Sequence, residues 1–183
     1  MINRTLIFIF LFSASHAFAQ TLTVAGGETI RSRSSRHDAY RAELNFGWKP
    51  ELWRGTSWGL SLHHALSIMT FRDKNTVNAV SWAPNLLLAP NSRCGTYPWV
   101  QLGFGVAYLS DDEFKSEPRK HPMYPQEGTS DMGSHGQFES SIALGVTRGR
   151  FSIRAKVYHY SNANLSSNNQ GMDVAELGLG YRF

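Results

Sequence analysis

Hydrophobic residues alternate with polar or small residues along most of this chain. Between positions 40 and 48, Tyr, Ala, Leu, Phe and Trp occupy the even positions, and Arg, Glu, Asn and Gly occupy the odd ones. A period of two is the pattern of a β-strand with one apolar face. The same alternation recurs in the segments 58–68, 80–88, 100–108, 138–147, 151–158 and 175–183. With a short first strand around 22–28, the pattern predicts eight strands and no helix of useful length.

An alternating chain can form a soluble β-sandwich or a transmembrane barrel, and three features favour the barrel. The predicted strands reach about ten residues, the length that a tilted strand needs to cross a membrane. Their polar faces are rich in Arg, Glu, Lys, Gln and Gly, which suits a small polar lumen. Phe183 stands in register at the end of the last strand, which resembles the C-terminal signal of bacterial outer-membrane barrels. We therefore predict an all-β fold, an eight-stranded antiparallel transmembrane β-barrel of the bacterial outer membrane.

Residues 1–19 have the features of a secretory signal peptide. Arg4 supplies a positive charge, positions 6–12 form an uninterrupted apolar run, and Ala17-Phe18-Ala19 is a small-x-small cleavage site. The apolar run is too short to cross a membrane as a helix. We expect residues 20–183 to form one barrel domain outside the cytoplasm.

Composition and charge narrow the function classes. The net charge is +4 and no run of Lys and Arg is longer than two, so the sequence does not indicate nucleic-acid binding. Cys94 is the only cysteine, which excludes a disulfide scaffold, and the chain has no Cys/His zinc pattern. The sequence therefore predicts neither a metal nor another cofactor.

The predicted connections differ in length, and this gives the barrel an orientation. Outer-membrane barrels have long loops on the outside and short turns in the periplasm. The outer connections are then 29–38, 71–76, 110–136 and 162–172, and the periplasmic ones are 49–56, 90–97 and 148–149. We expect His37, in the first outer connection, to be exposed to solvent.

A histidine, a serine and an aspartate are predicted to meet at the outer end of two paired strands. His159 and Ser161 are two residues apart, so their side chains project from the same face, which is the lipid-facing side of the segment 151–157. Asp173 shares the parity of Leu177 in the last strand and therefore also points outward. A serine hydroxyl needs a base to become a nucleophile, and the base needs an acid that orients it. The set predicts an acyl-transfer site with Ser161 as nucleophile, His159 as base and Asp173 as the orienting acid.

The asparagine-rich hairpin after Ser161 offers hydrogen-bond donors for a tetrahedral intermediate. Asn162, Asn164 and Asn169 are the candidate oxyanion or substrate contacts. Glu176 is a second candidate acid, but its parity points into the lumen. The spacing alone leaves an alternative open, a strand end with polar capping residues in an aromatic girdle, because an isolated His-x-Ser is common.

Several segments of the second half of the chain carry a family resemblance. His159-Tyr160-Ser161-Asn162-Ala163, followed by Asn169 and Gly171-Met172-Asp173, resembles the PagL-type lipid A 3-O-deacylases. The segments 97–110 and 137–145 are also similar to that family, and the likeness is weak before residue 90. The resemblance implies an eight-stranded outer-membrane barrel that hydrolyses the ester at position 3 of lipid A without a metal.

The resemblance also implies a Ser-His-acid triad on the outer surface, and its members fall on Ser161, His159 and Asp173. Two positions depart from the family pattern. Asp173 stands where the family commonly has Glu, so the strands must approach more closely to keep the hydrogen bond to the imidazole. Asn164 stands where the family often has Gly, and Asn is the residue that best tolerates a positive φ after Gly.

Together these features favour a lipid A 3-O-deacylase, a serine esterase whose site faces the outer leaflet of the outer membrane. Its expected partners are lipid A of lipopolysaccharide as substrate and the surrounding outer-membrane lipid, and a homodimer is compatible with this interpretation. Two alternatives stay open. One is a non-catalytic small barrel, an adhesin or structural protein, and the other is a barrel phospholipase that uses the same triad.

Overall fold

Eight long strands close into an antiparallel barrel, described by a computed structural model over residues 20–31, 37–115, 128–166 and 168–183. The barrel strands are β1 (Gln20–Arg31), β2 (Asp38–Arg54), β3 (Trp58–Arg72), β4 (Thr76–Pro90), β5 (Thr96–Leu109), β8 (Gly136–Arg148), β9 (Phe151–Ser161) and β10 (Met172–Arg182). Two short strands, β6 (Glu113–Lys115) and β7 (Thr129–Asp131), form a separate sheet within the connection between β5 and β8. The expected signal peptide, 1–19, lies outside the described residues.

The barrel closes where the first strand pairs with the last. This ladder runs from Thr21 opposite Arg182 to Arg31 opposite Asp173. Closure gives every barrel strand two partners, which a membrane requires because lipid offers the backbone no hydrogen bonds. The predicted eight-stranded antiparallel barrel is confirmed. Its first strand is longer than the predicted 22–28, because β2 and β10 pair with β1 beyond both ends of that segment.

The alternation in the sequence separates an apolar exterior from a polar interior. Leu177, Ile153 and Phe104 are exposed at 69%, 64% and 63% on the outer wall. A barrel exterior of this kind matches the hydrocarbon of a bilayer. Among the described residues, no helix is long and apolar enough to cross a membrane.

Paired charges fill the middle of the lumen. The buried network has three basic and three acidic members: Arg41, Arg154, Lys156, Glu43, Glu139 and Glu176. Arg41 Nη1 lies 3.0 Å from Glu139 Oε1, and Lys156 Nζ lies 2.9 Å from Glu43 Oε2. Arg154 pairs with both Glu43 and Glu176. Buried charges persist only when they are paired in this way, and Glu176 is held in the lumen, as its parity predicts.

An apolar cluster covers this network at the outer end of the barrel. Phe71 and Tyr160 contribute from the barrel wall, and Phe114 and Met132 contribute from the connection between β5 and β8. The rings of Phe71 and Phe114 meet edge to face at 5.5 Å. The Tyr160 hydroxyl donates to Glu139 Oε2 at 2.8 Å, so it joins the cluster to the charged network. The described parts of this connection, 110–115 and 128–135, therefore contribute to the core at the outer end of the barrel.

His37 is buried under this connection, so the expectation that it is exposed to solvent is wrong. Its ring meets Phe114 edge to face at 5.4 Å, and its Nε2 donates to the Lys115 carbonyl oxygen at 3.1 Å. Burial holds the pKa of His37 below its ordinary value, although the hydrogen bond to Lys115 opposes this shift. The sequence places His37 in a loop but does not show which segment covers it.

Candidate active site

His159, Ser161 and Asp173 lie on one face of the outer wall of the barrel, where β9 ends and β10 begins, and His159 and Asp173 are in contact. Asp173 is directly opposite His159 in the antiparallel ladder, and opposed residues project from the same face of a sheet. Ser161 follows two residues later on the same face of β9 and is half-buried. The side chains of His159 and Asp173 are exposed at 45% and 22%. The predicted shared face of the three residues is the face they occupy.

A short hydrogen bond fixes the imidazole of His159. Its Nδ1 lies 2.6 Å from Asp173 Oδ1. An ionised carboxylate only accepts, so Nδ1 carries the proton and Nε2 is left as an acceptor. A charge-assisted bond of this length is strong and directional. The Asp173 side chain, one methylene shorter than Glu, therefore reaches the imidazole because the two residues are directly opposite each other in the ladder.

Gly171 shapes the space around the same imidazole. Its φ is +61°, a left-handed conformation that side chains disfavour. A Cβ at this position would lie 3.0 Å from His159 Cε1 and 3.5 Å from Nε2. The backbone therefore packs against the ring on the edge that carries Nε2. Sequence reasoning did not assign Gly171 to the site, although a glycine two residues before the acid is a visible signal.

The hairpin after Ser161 turns through two left-handed residues, Ala163 at φ 53° and Asn164 at φ 61°. Asn162 is buried, and its Oδ1 accepts the Asn164 backbone N–H at 2.9 Å. Asn169 Oδ1 accepts the Asn162 backbone N–H at 3.2 Å, and Asn169 Nδ2 donates to Asn164 Oδ1 at 3.0 Å. The three candidate asparagines thus bond to one another and set the course of the chain beyond Ser161.

The amide nitrogen of Asn162 is also committed to the backbone. It donates to the carbonyl oxygens of Met132 at 2.9 Å and Asn168 at 2.6 Å. Both hydrogens of this amide are then used, and so is the backbone N–H of Asn164. Asn169 Nδ2 donates to one acceptor among the described residues, Asn164 Oδ1. Of the three side-chain amides, that of Asn162 therefore has both hydrogens engaged, whereas that of Asn169 has one engaged.

Apolar side chains border the site toward the middle of the barrel wall, and the polar hairpin borders it toward the outer end of the barrel. Phe138 of β8 is opposite Ser161 and stacks on Phe104 at 6.0 Å. Val157 and Ile142 are exposed on the wall below the site. This arrangement puts a hydroxyl, an imidazole and a carboxylate at the upper border of the apolar wall. Within the part of the chain that the structure describes, no group of three or more His, Cys, Asp and Glu side chains is arranged to hold a metal ion.

Comparison with known proteins gives one family match and several structures of similar fold. The family model described as lipid A 3-O-deacylase (PagL) matches residues 38–182. No curated protein matches the chain. The crystal structure of the outer membrane enzyme PagL is similar with a TM-score of 0.72 and 22% identity, over 88% of this chain and 98% of that chain.

Two further solved structures share the barrel fold. The N-terminal β-barrel domain of Pseudomonas aeruginosa OprF has a TM-score of 0.51 and 15% identity, over 90% of this chain and 97% of that chain. Neisserial surface protein A has a TM-score of 0.52 and 10% identity, over 91% of this chain and 97% of that chain. At these identities the similarity concerns the fold.

Proposed function

Because the chain belongs to the lipid A 3-O-deacylase (PagL) family, we propose that it is a serine esterase that removes the acyl chain ester-linked at position 3 of lipid A. The observation that carries this proposal is the 2.6 Å bond between His159 Nδ1 and Asp173 Oδ1, on the face that also carries Ser161. That bond leaves Nε2 free to accept a proton. A base oriented in this way, with a serine two residues on along the same face of β9, supports nucleophilic acyl transfer.

In the proposed reaction, Ser161 Oγ attacks the carbonyl carbon of the ester while His159 Nε2 takes the hydroxyl proton. The tetrahedral intermediate collapses, the bond to the sugar oxygen breaks, and His159 returns the proton to that oxygen. Water then attacks the acyl-enzyme with His159 as base, which releases the free acid and restores Ser161. Asp173 stabilises the imidazolium that forms in both steps. The products are a 3-hydroxy fatty acid and a lipid A with one acyl chain fewer.

Donors for the oxyanion come from the hairpin in this proposal. Asn169 Nδ2 supplies its second hydrogen, and Asn162 and Asn164 hold the turn in place. Donors that are fixed before the reaction stabilise developing charge without reorganisation, and a single such donor contributes roughly 10²–10³ in turnover. The mutual bonds of the three asparagines support this division of roles.

The position of the site supports a membrane substrate. Acyl chains can lie against the apolar wall at Val157 and Ile142 while the sugar and phosphates of lipid A stay among the polar loops. We propose that residues 1–19 direct export and that the site faces the outer leaflet of the outer membrane, where lipid A resides. The homodimer stays a prediction.

Mass spectrometry of lipid A from cells expressing the wild-type chain or Ser161→Ala tests the proposal. We expect wild type to remove the mass of one 3-hydroxyacyl group and the variant to leave lipid A intact. Ser92→Ala is the matched control, because this exposed serine lies in the turn at the opposite end of the barrel. A folded barrel in all three samples, shown by heat-dependent electrophoretic mobility, completes the design.

Other outcomes identify the alternatives. Fatty acid release from glycerophospholipid vesicles that lack lipid A indicates a barrel phospholipase. A non-catalytic barrel is indicated if lipid A is the same in three kinds of cells: those with folded wild type, those with Ser161→Ala, and those without the protein. Unchanged deacylation by Ser161→Ala refutes Ser161 as the nucleophile.

A further inference from the structure

We propose that Asp131 is a positioning residue for Ser161, which it serves by docking residues 131–133 onto the hairpin after Ser161, described over residues 162–166 and 168–171. This inference rests on the proposed function. Asp131 is the last residue of β7 and lies 30 positions before Ser161 in the chain. It makes no contact with the proposed triad, so any effect on catalysis must pass through the hairpin.

The carboxylate of Asp131 accepts two hydrogen bonds, one at each oxygen. Its Oδ1 accepts the Gly133 backbone N–H at 2.7 Å, and its Oδ2 accepts from Asn168 Nδ2 at 2.5 Å. The backbone of Asp131 also pairs with Gln170, because Gln170 Oε1 accepts the Asp131 N–H at 3.1 Å. One residue of the connection is thus bonded to two residues of the hairpin.

The next two residues of the connection extend this contact. The Met132 carbonyl oxygen accepts from Asn162 Nδ2 at 2.9 Å, and the Gly133 carbonyl oxygen accepts from Ser166 Oγ at 2.6 Å. Gly133 has φ +72°, and a Cβ there would lie 1.9 Å from the Asn168 carbonyl oxygen. The two backbones therefore touch at a point where only glycine fits. Three consecutive residues, 131 to 133, hold the hairpin.

A continuous path of hydrogen bonds leads from Asp131 to the residue beside the proposed nucleophile. Asp131 holds the Asn168 side chain, and the Asn168 carbonyl oxygen accepts from Asn162 Nδ2 at 2.6 Å. Asn162 follows Ser161 directly and fixes Asn164 through its Oδ1. A hairpin without this support would occupy several conformations. Since misplacing reacting groups by about 1 Å costs on the order of 10²-fold in rate, the docking contributes to turnover.

The chemistry of the two acceptors makes the proposal testable by exchange. Asp131→Asn alone leaves the pairing intact, because the amide of Asn168 can rotate and present its Oδ1 to the new NH₂ group. Asn168→Asp instead sets two carboxylates against each other, and rotation of either side chain supplies no donor. Adding Asp131→Asn to Asn168→Asp restores complementarity. In the double variant, the amide oxygen at position 131 accepts from Gly133, and the amide nitrogen donates to the carboxylate at position 168. A reciprocal exchange therefore separates hydrogen-bond pairing from the mere presence of a charge at position 131.

The experiment measures kcat and KM for lipid A deacylation in detergent by refolded wild type and variants. We expect Asn168→Asp to lower kcat by about 10- to 100-fold with KM changed less than about threefold, and the double variant to recover kcat to within about threefold of wild type. Asp131→Asn alone should stay within about threefold of wild type, because Asn168 can rotate to accept from it. Asp111→Asn is the matched control. Asp111 lies in the same connection and its Oδ1 also accepts a backbone N–H two residues on, from Glu113 at 3.1 Å.

Four results would overturn the inference. The first three are a wild-type kcat in Asn168→Asp, no recovery in the double variant, and a loss in Asp111→Asn equal to that in Asn168→Asp. The fourth is a rise in KM with unchanged kcat, because positioning of the nucleophile acts on turnover. Failure of the proposed function is distinguishable, since it appears as undiminished activity in Ser161→Ala whatever Asn168→Asp does. The rate at which a fluorophosphonate labels Ser161 gives a second readout, and we expect it to fall and recover with kcat.

Discussion

Asp173→Asn is the substitution that most directly tests how the site works. The wild-type carboxylate accepts the Nδ1 proton of His159 at 2.6 Å and, in the proposed reaction, faces the imidazolium that forms during acyl transfer. An amide at position 173 is neutral. It can also turn its NH₂ toward Nδ1, which would place the imidazole proton on Nε2, the atom that accepts from Ser161 in the proposed reaction. The substitution therefore removes a negative charge and no longer fixes which imidazole nitrogen of His159 carries the proton. The volume of the side chain changes very little.

The distance and exposure of the pair set the magnitude. Two charge centres about 4 Å apart interact by about 4 kcal/mol at an effective dielectric of about 20 and by about 1 kcal/mol in bulk water. At about 1.36 kcal/mol per tenfold in rate, this corresponds to a loss of roughly 5-fold to 10³-fold in kcat. His159 is partly exposed, and Asp173 is the more buried member of the pair. We expect a loss of about 10²-fold, between these limits.

The assay is deacylation of lipid A in detergent micelles, followed by mass spectrometry over time. Asp173→Glu restores the acid that the family commonly carries, and we expect it to retain at least about a tenth of the wild-type kcat, because the carboxylate still faces Nδ1. Asp73→Asn, in the exposed β3–β4 turn, is the matched control and should match wild type. A loss below about threefold for Asp173→Asn with the barrel folded would refute the role of Asp173 as the orienting acid.

Three further predictions concern the hairpin, the charged network in the lumen and His37 at the outer end of the barrel. Gly171→Ala should lower kcat by about tenfold or more while the barrel stays folded, because its Cβ would press on the imidazole of His159. Glu43→Gln should lower the free energy of unfolding in urea by about 3–5 kcal/mol, because it leaves three buried cations facing two carboxylates and removes a partner from both Lys156 and Arg154. The buried His37 has a pKa below its ordinary value, so on acidification the unfolded chain takes up a proton at this residue before the folded protein does. Its contribution to stability is therefore complete above about pH 6.5 and falls as the pH drops. Urea midpoints at pH 8 and pH 5 would measure this loss.

Each of these predictions has a control that isolates its cause. Gly95→Ala imposes a similar backbone strain at φ +71° with nothing near the added Cβ, so it should leave kcat unchanged; an equal loss in both variants would contradict a contact with the imidazole. Glu51→Gln breaks an exposed pair with Arg54 and should leave the free energy of unfolding nearly unchanged, and an equally small effect of Glu43→Gln would contradict the network. His37→Gln should be less sensitive to acid than wild type, and equal sensitivity would assign the effect to other groups.

The sequence by itself determined the barrel and the face on which the candidate site lies. Alternation is a local property, because successive side chains of an extended backbone point to opposite sides whatever the rest of the chain does. His159, Ser161 and Asp173 could therefore be assigned to the outer wall, and Glu176 to the lumen, from parity alone. Closure with neighbouring strands does not change parity, so these assignments agree with the structure.

Only the tertiary structure decided which residues meet beyond the strands. His37 is buried because Phe114, 77 positions later, folds over it, and no local pattern marks that contact. Asp131 lies in the connection that precedes β8, and its carboxylate accepts a hydrogen bond from Asn168 of the hairpin. The sequence offers several hydrogen-bond partners for the side-chain amides of the hairpin. Which of them bond is determined by the positions that the folded barrel gives them. A period of two fixes the direction of a side chain, whereas a loop contact depends on where separate strand ends come together in space.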